Sequence, residues 1–156
     1  MKSSDEILGL LNQLLTNELT AINQYFVHAK MCQNWGYHRL AAKIREESID
    51  EMRHADEVIS RILFLEGVPN VQRYHKIKVG ETVREQLEVD LALEYDAIKF
   101  LNQGIALART AADNATEDMM TKILVSEEQH ADWIETQLEL IRQIGEQNYL
   151  AQQLTK

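Results

Sequence analysis

The chain has 156 residues, of which 45% are apolar, and it contains only one proline and six glycines. That length fits one domain with a single core, and the scarcity of helix-breaking residues favours long helices over many strands and turns. The formal net charge of −9, from 25 acidic and 16 basic side chains, argues against a nucleic-acid partner and favours attraction of metal cations. We therefore predict a single all-α domain over residues 1–156.

Cysteine content and hydropathy indicate the compartment. One cysteine, Cys32, provides neither an intramolecular disulfide nor a thiolate cage for a metal within one subunit. Its place on an apolar helix face predicts a small buried residue. Polar residues interrupt the apolar ones early in the chain, so we expect neither a signal peptide nor a membrane span. A cytoplasmic protein with no membrane partner is the prediction.

Two helices are predicted in the first half of the chain. The first begins with a capping box formed by Ser3 and Glu6, and its apolar periodicity stops before Gly36. The second covers about residues 39–66 and is followed by Pro69, which cannot continue a helix. Because the connection between them is short, we expect an antiparallel hairpin.

The second half repeats this plan. The third helix is predicted to open at Thr82 and to reach Thr110. The fourth opens at Thr116 and ends near Gly145, and a short tail helix is expected over residues 148–154.

Residues 68–81 lack helical periodicity and are long enough to cross the length of a bundle. The sequence therefore predicts an all-α four-helix bundle made of two hairpins, with a long crossover between the second and third helices and a short C-terminal fifth helix. The segment Arg73 to Lys78 is unexpectedly basic, and the sequence gives no functional account of it.

A set of three metal-ligating residue types occurs twice, at an offset of 76 residues. The first copy is Glu18, Glu51 and His54, and the second is Glu94, Glu127 and His130. Residues three apart share a helical face, so each Glu-x-x-His pair can present an oxygen and a nitrogen to one point. A single Glu-x-x-His arises by chance, but two copies with two further glutamates at the same offset predict a dinuclear site.

The four glutamates fall at core positions of the predicted helices. In the first helix, for example, the apolar positions step by three and four through Leu14, Glu18, Ala21 and Tyr25. Buried carboxylates without counter-charge would have to take up protons, whereas two divalent cations balance four of them. Oxygen-rich ligation with one imidazole per metal suits iron or manganese, and ferritin-like bundles with two metals use this ligand pattern.

Longer motifs identify a family. The chain contains Asn23-Gln24-Tyr25-Phe26, Glu47-Ser-Ile-Asp-Glu51-Met52-Arg-His54 and Glu127-Glu-Gln-His130. With these it resembles the bacterioferritins over nearly its whole length. The resemblance implies a ferritin-like fold and a ferroxidase that oxidises Fe(II) with dioxygen or hydrogen peroxide. It also implies that the mineral is stored in a hollow shell of 24 identical subunits, and that Glu51 and Glu127 bridge the two irons.

Met52 has two interpretations. It lies about 100° round the helix from Glu51 and points out of the bundle, where a methionine is ordinarily a hydrophobic contact. The resemblance implies instead that Met52 ligates haem b, with one methionine from each subunit across a two-fold axis and one haem for two subunits. The side chains expected near the ring are Ile22, Asn23, Phe26 and Ile49.

Further roles come from the same resemblance. Tyr25 lies two turns after Glu18 on the same stripe, so it is either a core aromatic or an electron donor to the di-iron site, with Trp133 as a relay. Many family members carry a histidine where this chain has Glu46, and that histidine helps to hold iron on the cavity wall together with the residue equivalent to Asp50. Glu46 and Asp50 are one turn apart and could still form such a site from two carboxylates.

The implied partner is a bacterioferritin-associated ferredoxin that delivers electrons for iron release, expected to dock near Val68, Pro69, Glu81 and Glu85. Two other functions stay open: a soluble di-iron carboxylate oxidase or oxygenase acting on an organic substrate, and a non-catalytic haem-binding subunit of a shell. A rubrerythrin-like peroxidase is disfavoured because Cys-x-x-Cys pairs are absent, and a DNA-protecting mini-ferritin because no basic tail is present.

Overall fold

The computed structural model describes residues 1–155, which form five helices and no strand. The helices are α1 (Asp5–Asn34), α2 (His38–Phe64), α3 (Val83–Thr110), α4 (Asn114–Ile144) and α5 (Glu146–Ala151). The predicted all-α architecture, with four long helices and a short fifth, is confirmed. None of the helices within these residues is both long enough and apolar enough to cross a membrane.

The caps of α1 and α3 follow from local hydrogen bonding. The hydroxyl of Ser4, not that of Ser3, accepts from the backbone N–H of Ile7 at 3.2 Å, so the predicted start of α1 was wrong by one residue. At α3 the prediction was right, because Thr82 Oγ1 accepts from the N–H of Glu85 at 3.1 Å. Each bond satisfies one of the amide groups that a helix leaves unpaired at its N-terminus.

The start of α4 differs from the prediction by several residues. Asp113 is the cap: its Oδ1 accepts from the N–H of Thr116 at 3.1 Å, and its Oδ2 accepts from the Thr116 hydroxyl at 2.7 Å. Arg61 of α2 donates to the same carboxylate at 2.8 Å, which ties the loop to the neighbouring hairpin. Thr116 therefore lies inside the first turn. At the other end, Gly145 has a φ of +86° and separates α4 from α5, which begins earlier than predicted.

Short connections of three residues join α1 to α2 and α3 to α4, so each pair forms an antiparallel hairpin, and α1 also packs against α3. The crossover, residues 65–82, returns along α1. Polar side chains on one face of α1 accept hydrogen bonds from the backbone N–H groups of the crossover and so hold it in place. The donor and acceptor pairs are Asn70 to Asn12, His75 to Thr20, Lys78 to Gln24 and Gly80 to His28.

Two apolar clusters fill the two ends of the bundle. One contains Ile7, Leu11, Val58, Ile62, Leu101 and Met120, and the other contains Tyr25, Cys32, Leu40, Leu87, Ile134 and Tyr149 of α5. Cys32 is fully buried, as predicted. Ile144, the last residue of α4, is 42% exposed although its spacing placed it on the apolar seam. The sequence positions of the four buried glutamates fall between these two clusters.

Candidate metal centre

The six residues of the repeated set meet in the middle of the bundle. Their ligand atoms form two groups, and within each group all atoms lie within 4.8 Å of one another. One group is Glu18, Glu51, His54 and Glu127, and the other is Glu51, Glu94, Glu127 and His130. Glu51 and Glu127 belong to both groups, which is the arrangement required of carboxylates that bridge two metals.

Each long helix contributes to this cluster because the core positions continue through it. α1 and α3 supply one glutamate each, while α2 and α4 supply the Glu-x-x-His pairs, whose members face the same way one turn apart. All four carboxylates are at most 1% exposed. The histidines are 9% and 5% exposed, so the ligating side chains are almost entirely buried.

The inward-facing atoms lack hydrogen-bond partners. This applies to at least one oxygen of each of the four glutamates and to Nδ1 of both His54 and His130. Nδ1 of His54 lies 3.5 Å from Glu18 Oε2 and 3.6 Å from Glu127 Oε1. Nδ1 of His130 lies 3.0 Å from Glu51 Oε1 and 3.5 Å from Glu94 Oε1. Buried polar atoms are normally paired, so this concentration of unpaired donors and acceptors around two points fits two bound cations.

Electrostatics lead to the same conclusion. Burial, reinforced by the charge of Glu127, raises the pKa of Glu18, of Glu51 and of Glu94, the last to about 8. The pKa of Glu127 is lowered in spite of its burial, because the polar side chains of His130 and Glu51 lie close to its carboxylate. Without metal the cluster therefore holds protons on several carboxyl groups, and cations would take their place.

The two histidines carry protons as well. Burial opposes their charge, yet the nearby carboxylate of Glu18 raises the pKa of His54, and those of Glu127 and Glu94 raise the pKa of His130 to about 11. A metal requires neutral imidazole at Nδ1. Four carboxylates with two imidazoles form an oxygen-rich set that balances the charge of two divalent cations and suits iron or manganese.

Asp50 and Glu46 do not lie together in a closed site. Asp50 Oδ2 is 3.1 Å from Nε2 of His130, and its other oxygen accepts from Arg53 at 3.1 Å. The first contact orients the ring so that Nδ1 faces the cluster. Glu46 is exposed one turn away. An iron site formed by Glu46 and Asp50 stays a prediction, and the contact between Asp50 and His130 is one that sequence reasoning missed.

Tyr25 lies directly beside the cluster. It is fully buried, and its hydroxyl donates a hydrogen bond to Oε1 of Glu94. Burial and the charge of Glu94 raise the pKa of this phenol, so it keeps its proton. Trp133 packs in the apolar cluster that includes Tyr25, with Lys43 over its ring at 5.6 Å.

Two further buried polar features were not predicted as functional. Glu47 is 2% exposed, its Oε1 has no partner, and burial raises its pKa to about 8. Its seam position, four residues before Glu51, was the available signal. Asp90 is also buried, one turn before Glu94, and lies 2.9 Å from His28 Nδ1. Since His28 also accepts from the N–H of Gly80, this pair links α3 to the crossover.

The predicted haem surface is an exposed apolar patch on the outer faces of α1 and α2. Met52 is 56% exposed, Phe26 47% and Ile49 38%, and Arg45 lies over the Phe26 ring at 5.7 Å. Ile22 is half-buried and Asn23 exposed nearby. Exposed apolar side chains at one helical face are typical of a surface that another subunit or a ligand covers.

A cavity of about 460 Å³ opens between α1, α3 and the crossover and reaches the candidate metal centre. Its buried end is lined by Glu18, Glu94, Glu127 and Tyr25. Its open end is lined by exposed residues of the crossover, His75, Lys76 and Lys78. The candidate centre is therefore accessible from the side of the bundle that carries the crossover.

Comparisons with known proteins agree with this architecture. A family model described as ferritin-like domain matches residues 8–144. The chain is 51% identical over 152 residues to bacterioferritin of Mycobacterium tuberculosis (strain CDC 1551 / Oshkosh), covering 97% of this chain and 96% of the relative. It is 45% identical over 151 residues to bacterioferritin of Streptomyces coelicolor, covering 97% and 90%, and 43% identical over 149 residues to that of Brucella melitensis biotype 1, covering 96% and 92%.

Proposed function

The chain belongs to the bacterioferritin family of iron-storage proteins, and we propose that it acts as a ferroxidase at the paired metal sites of α1 to α4. The observation that carries this proposal is the convergence of six buried ligands whose inward-facing atoms lack partners. The assignment of these six residues as iron ligands is part of the proposal.

In the proposed reaction iron is the substrate. Two Fe(II) ions give up two electrons and become two Fe(III) ions. With hydrogen peroxide as oxidant, those electrons and two protons convert one peroxide into two waters. With dioxygen, the same two electrons and two protons yield one hydrogen peroxide. Two adjacent metal positions suit a two-electron oxidant, because both electrons are available in one encounter.

The protein supplies positions and protons. We propose that Glu51 and Glu127 bridge the metals, since both belong to the two ligand groups. Glu18 with His54 and Glu94 with His130 then act as the terminal ligands on either side. Tyr25 touches Glu94 and retains a transferable hydrogen atom, which supports the proposal that it can donate an electron and a proton to the reaction.

Comparison of Glu127→Gln with Glu128→Gln tests the ferroxidase proposal. Glu127 lies in both ligand groups, whereas Glu128 is the next residue and is exposed, so the pair removes the same charge at neighbouring positions. Stopped-flow absorption after mixing with Fe(II) and oxidant is expected to show a fast phase that saturates at two irons per subunit. The fast phase should be lost in Glu127→Gln and unchanged in Glu128→Gln. Wild-type protein without a fast phase, or a fast Glu127→Gln variant, would contradict the proposal.

We propose further that Met52 ligates haem b at a two-fold axis, so that one haem serves two subunits. The exposed apolar patch around Met52 supports this proposal, because a soft thioether on a face that needs covering suits a flat apolar macrocycle. Reconstitution with haem should give a Soret band at one haem per two subunits, and Met52→Leu should abolish it. Met119→Leu, a similar swap at a partly buried core position, serves as the control and should leave the band unchanged.

The quaternary structure and the electron donor belong to the same proposal. A closed shell of 24 identical subunits built from two-fold dimers would enclose the mineral, and a small ferredoxin would deliver electrons above the haem for iron release. Light scattering of the purified protein tests the first statement. Anaerobic release of mineral iron by a reduced ferredoxin, compared between wild type and Met52→Leu, tests the second.

A further inference from the structure

Part of the crossover is basic, although the chain as a whole is acidic. Within six residues it carries Arg73, Lys76 and Lys78 and no acidic residue, while the whole chain has a formal charge of −9. Among residues 1–155 neither Lys76 nor Lys78 forms an ion pair, although both are exposed and free to reach an acidic neighbour. The charge of these two lysines is therefore available to a ligand.

These lysines line the cavity that leads to the candidate metal centre. The backbone that carries them is fixed to α1, because the N–H of His75 donates to Thr20 at 3.0 Å and the N–H of Lys78 donates to Gln24 at 3.1 Å. His75 Nε2 lies 2.7 Å from Asn17 Oδ1, and both residues also line the cavity. The crossover thus holds Lys76 and Lys78 at the open end of the cavity, with Glu18, Glu94 and Glu127 at the buried end.

We propose that this cavity binds an inorganic oxyanion of the phosphate class between the two lysines and the metals. The inference rests on the proposed function, since it requires metal ions at the buried end. Two metal ions in the trivalent state carry a charge of six and the four carboxylates balance only four of it, so the oxidised centre attracts an anion from the cavity side. An oxyanion has several oxygens and can face the metals and an ammonium group at the same time.

A free metal cation is the other candidate ligand for a cavity that ends in carboxylates, and the charges of the two lysines disfavour it. Lysines at the entrance repel a free metal cation, and the repulsion is strongest at low ionic strength, where screening is weak. A route used only by cations would be expected to carry acidic residues at its mouth. Asp96 is the only exposed acid that lines the cavity within residues 1–155, against two lysines.

The test uses inorganic phosphate and the intact assembly loaded with a redox-inactive trivalent metal, because the excess positive charge arises only with trivalent ions. Ga(III) loading is measured first by metal analysis, and unbound metal is removed by gel filtration. Phosphate binding is then measured by equilibrium dialysis at constant ionic strength. In a parallel sample loaded with two Fe(III) per subunit, broadening of the phosphorus-31 resonance reports whether the bound phosphate lies close to the paramagnetic metal.

The informative variant is Lys76→Gln/Lys78→Gln, and its matched control is Lys30→Gln/Lys122→Gln. Both variants lose two positive charges at exposed positions, so the formal charge changes from −9 to −11 in each. Phosphate affinity of the metal-loaded assembly should fall roughly fivefold or more in the first variant, as expected for two partly screened charge contacts, and should be unchanged in the control. Lys76→Arg/Lys78→Arg should restore binding.

Several outcomes would overturn the proposal. These are equal phosphate affinity in wild type and Lys76→Gln/Lys78→Gln, equal loss in the Lys30→Gln/Lys122→Gln control, or no broadening that depends on Fe(III). Circular dichroism confirms that each variant is folded. If two metals load per subunit but phosphate does not bind, only the oxyanion site is refuted. If the metals themselves do not load, the proposed ferroxidase centre fails instead.

Discussion

Metal binding to this protein should release protons in a number set by the buried ligands. In the metal-free protein at pH 6.5, Glu94 and His130 hold protons, because the pKa of Glu94 is raised to about 8 and that of His130 to about 11. The pKa values of Glu51 and His54 are raised as well, which can only add to this number. Coordination requires carboxylates and neutral imidazoles. Filling both sites should therefore release at least two protons per subunit.

The assay is calorimetric titration with Zn(II) in buffers of different ionisation enthalpy, which gives the proton count directly. Zn(II) has no redox chemistry, so oxidation does not contribute to the signal. Glu94→Gln should release about one proton fewer than wild type at pH 6.5, because Glu94 is protonated there. The difference between the two proteins should vanish by about pH 9.5, above the pKa of Glu94, since that carboxyl has then already lost its proton.

Zinc-bound water can also release protons, and this contribution cancels when the number released by Glu94→Gln is subtracted from the number released by wild type. Glu128→Gln, which removes an exposed carboxylate beside Glu127, should match wild type at every pH. The reasoning would be refuted by release of less than one proton per two zinc ions at pH 6.5. It would also be refuted by a difference between wild type and Glu94→Gln that does not depend on pH.

Three further predictions follow from single contacts. Asp50→Asn should weaken Co(II) binding at the dinuclear centre about tenfold in competition titrations, because the carboxylate that orients His130 is lost, whereas Glu46→Gln, one turn away, should not. Gly9→Ala should raise the free energy of unfolding by about 0.5–1 kcal/mol, since nothing lies near the added methyl group. Gly80→Ala should lower the free energy of unfolding by about 1–3 kcal/mol, because the added methyl group would meet the backbone of Gln86. Urea denaturation of the two variants measures this contrast. Asp113→Ala should lower the free energy of unfolding by about 1–2 kcal/mol through loss of the α4 cap. This difference should be full at neutral pH and vanish as the pH falls below the ordinary aspartate range, because hydrogen bonds from Thr116 and Arg61 lower the pKa of Asp113 despite its partial burial. Thermal melts from pH 7 to pH 2 test this.

Most of the bundle could be predicted because its signals are local and periodic. The seam through Leu14, Glu18, Ala21 and Tyr25 followed from a spacing of three and four, and the structure buries all four residues. The errors lie at helix ends, where several residues can cap. Thr116 was predicted to start α4, but Asp113 accepts from the N–H of Thr116 with a carboxylate that also binds Arg61, so the helix starts earlier. That ion pair joins distant parts of the chain and cannot be read from local sequence.

The metal cluster was predicted more fully than its surroundings for a similar reason. A 76-residue offset between ligand sets is visible in the sequence, and helical geometry then brings the sets together. The contact of Asp50 with His130 depends on how α2 and α4 approach each other, so no spacing rule revealed it. The charge of the crossover was visible in the sequence. Its place at the mouth of a cavity required the fold.

The repeat preserves the ligands and changes what surrounds them. Tyr25, which donates to Glu94, corresponds at the same offset to Leu101, and a leucine cannot donate to Glu18. The two halves therefore provide the same carboxylate in different environments. One carboxylate is held by a hydrogen bond from a phenol, and its counterpart has an apolar residue at the equivalent position.

The two histidines also differ in their supporting contacts. Asp50, which orients His130, corresponds at that offset to Ser126, and within residues 1–155 no side-chain hydrogen bond joins Ser126 to His54. Both supporting contacts thus fall on the side of Glu94 and His130. Ligands that are already oriented lose less freedom when a metal binds, so this side of the centre is the better organised of the two. The repeat explains why two similar ligand groups meet at the candidate metal centre, and the residues that depart from it give the two groups different surroundings.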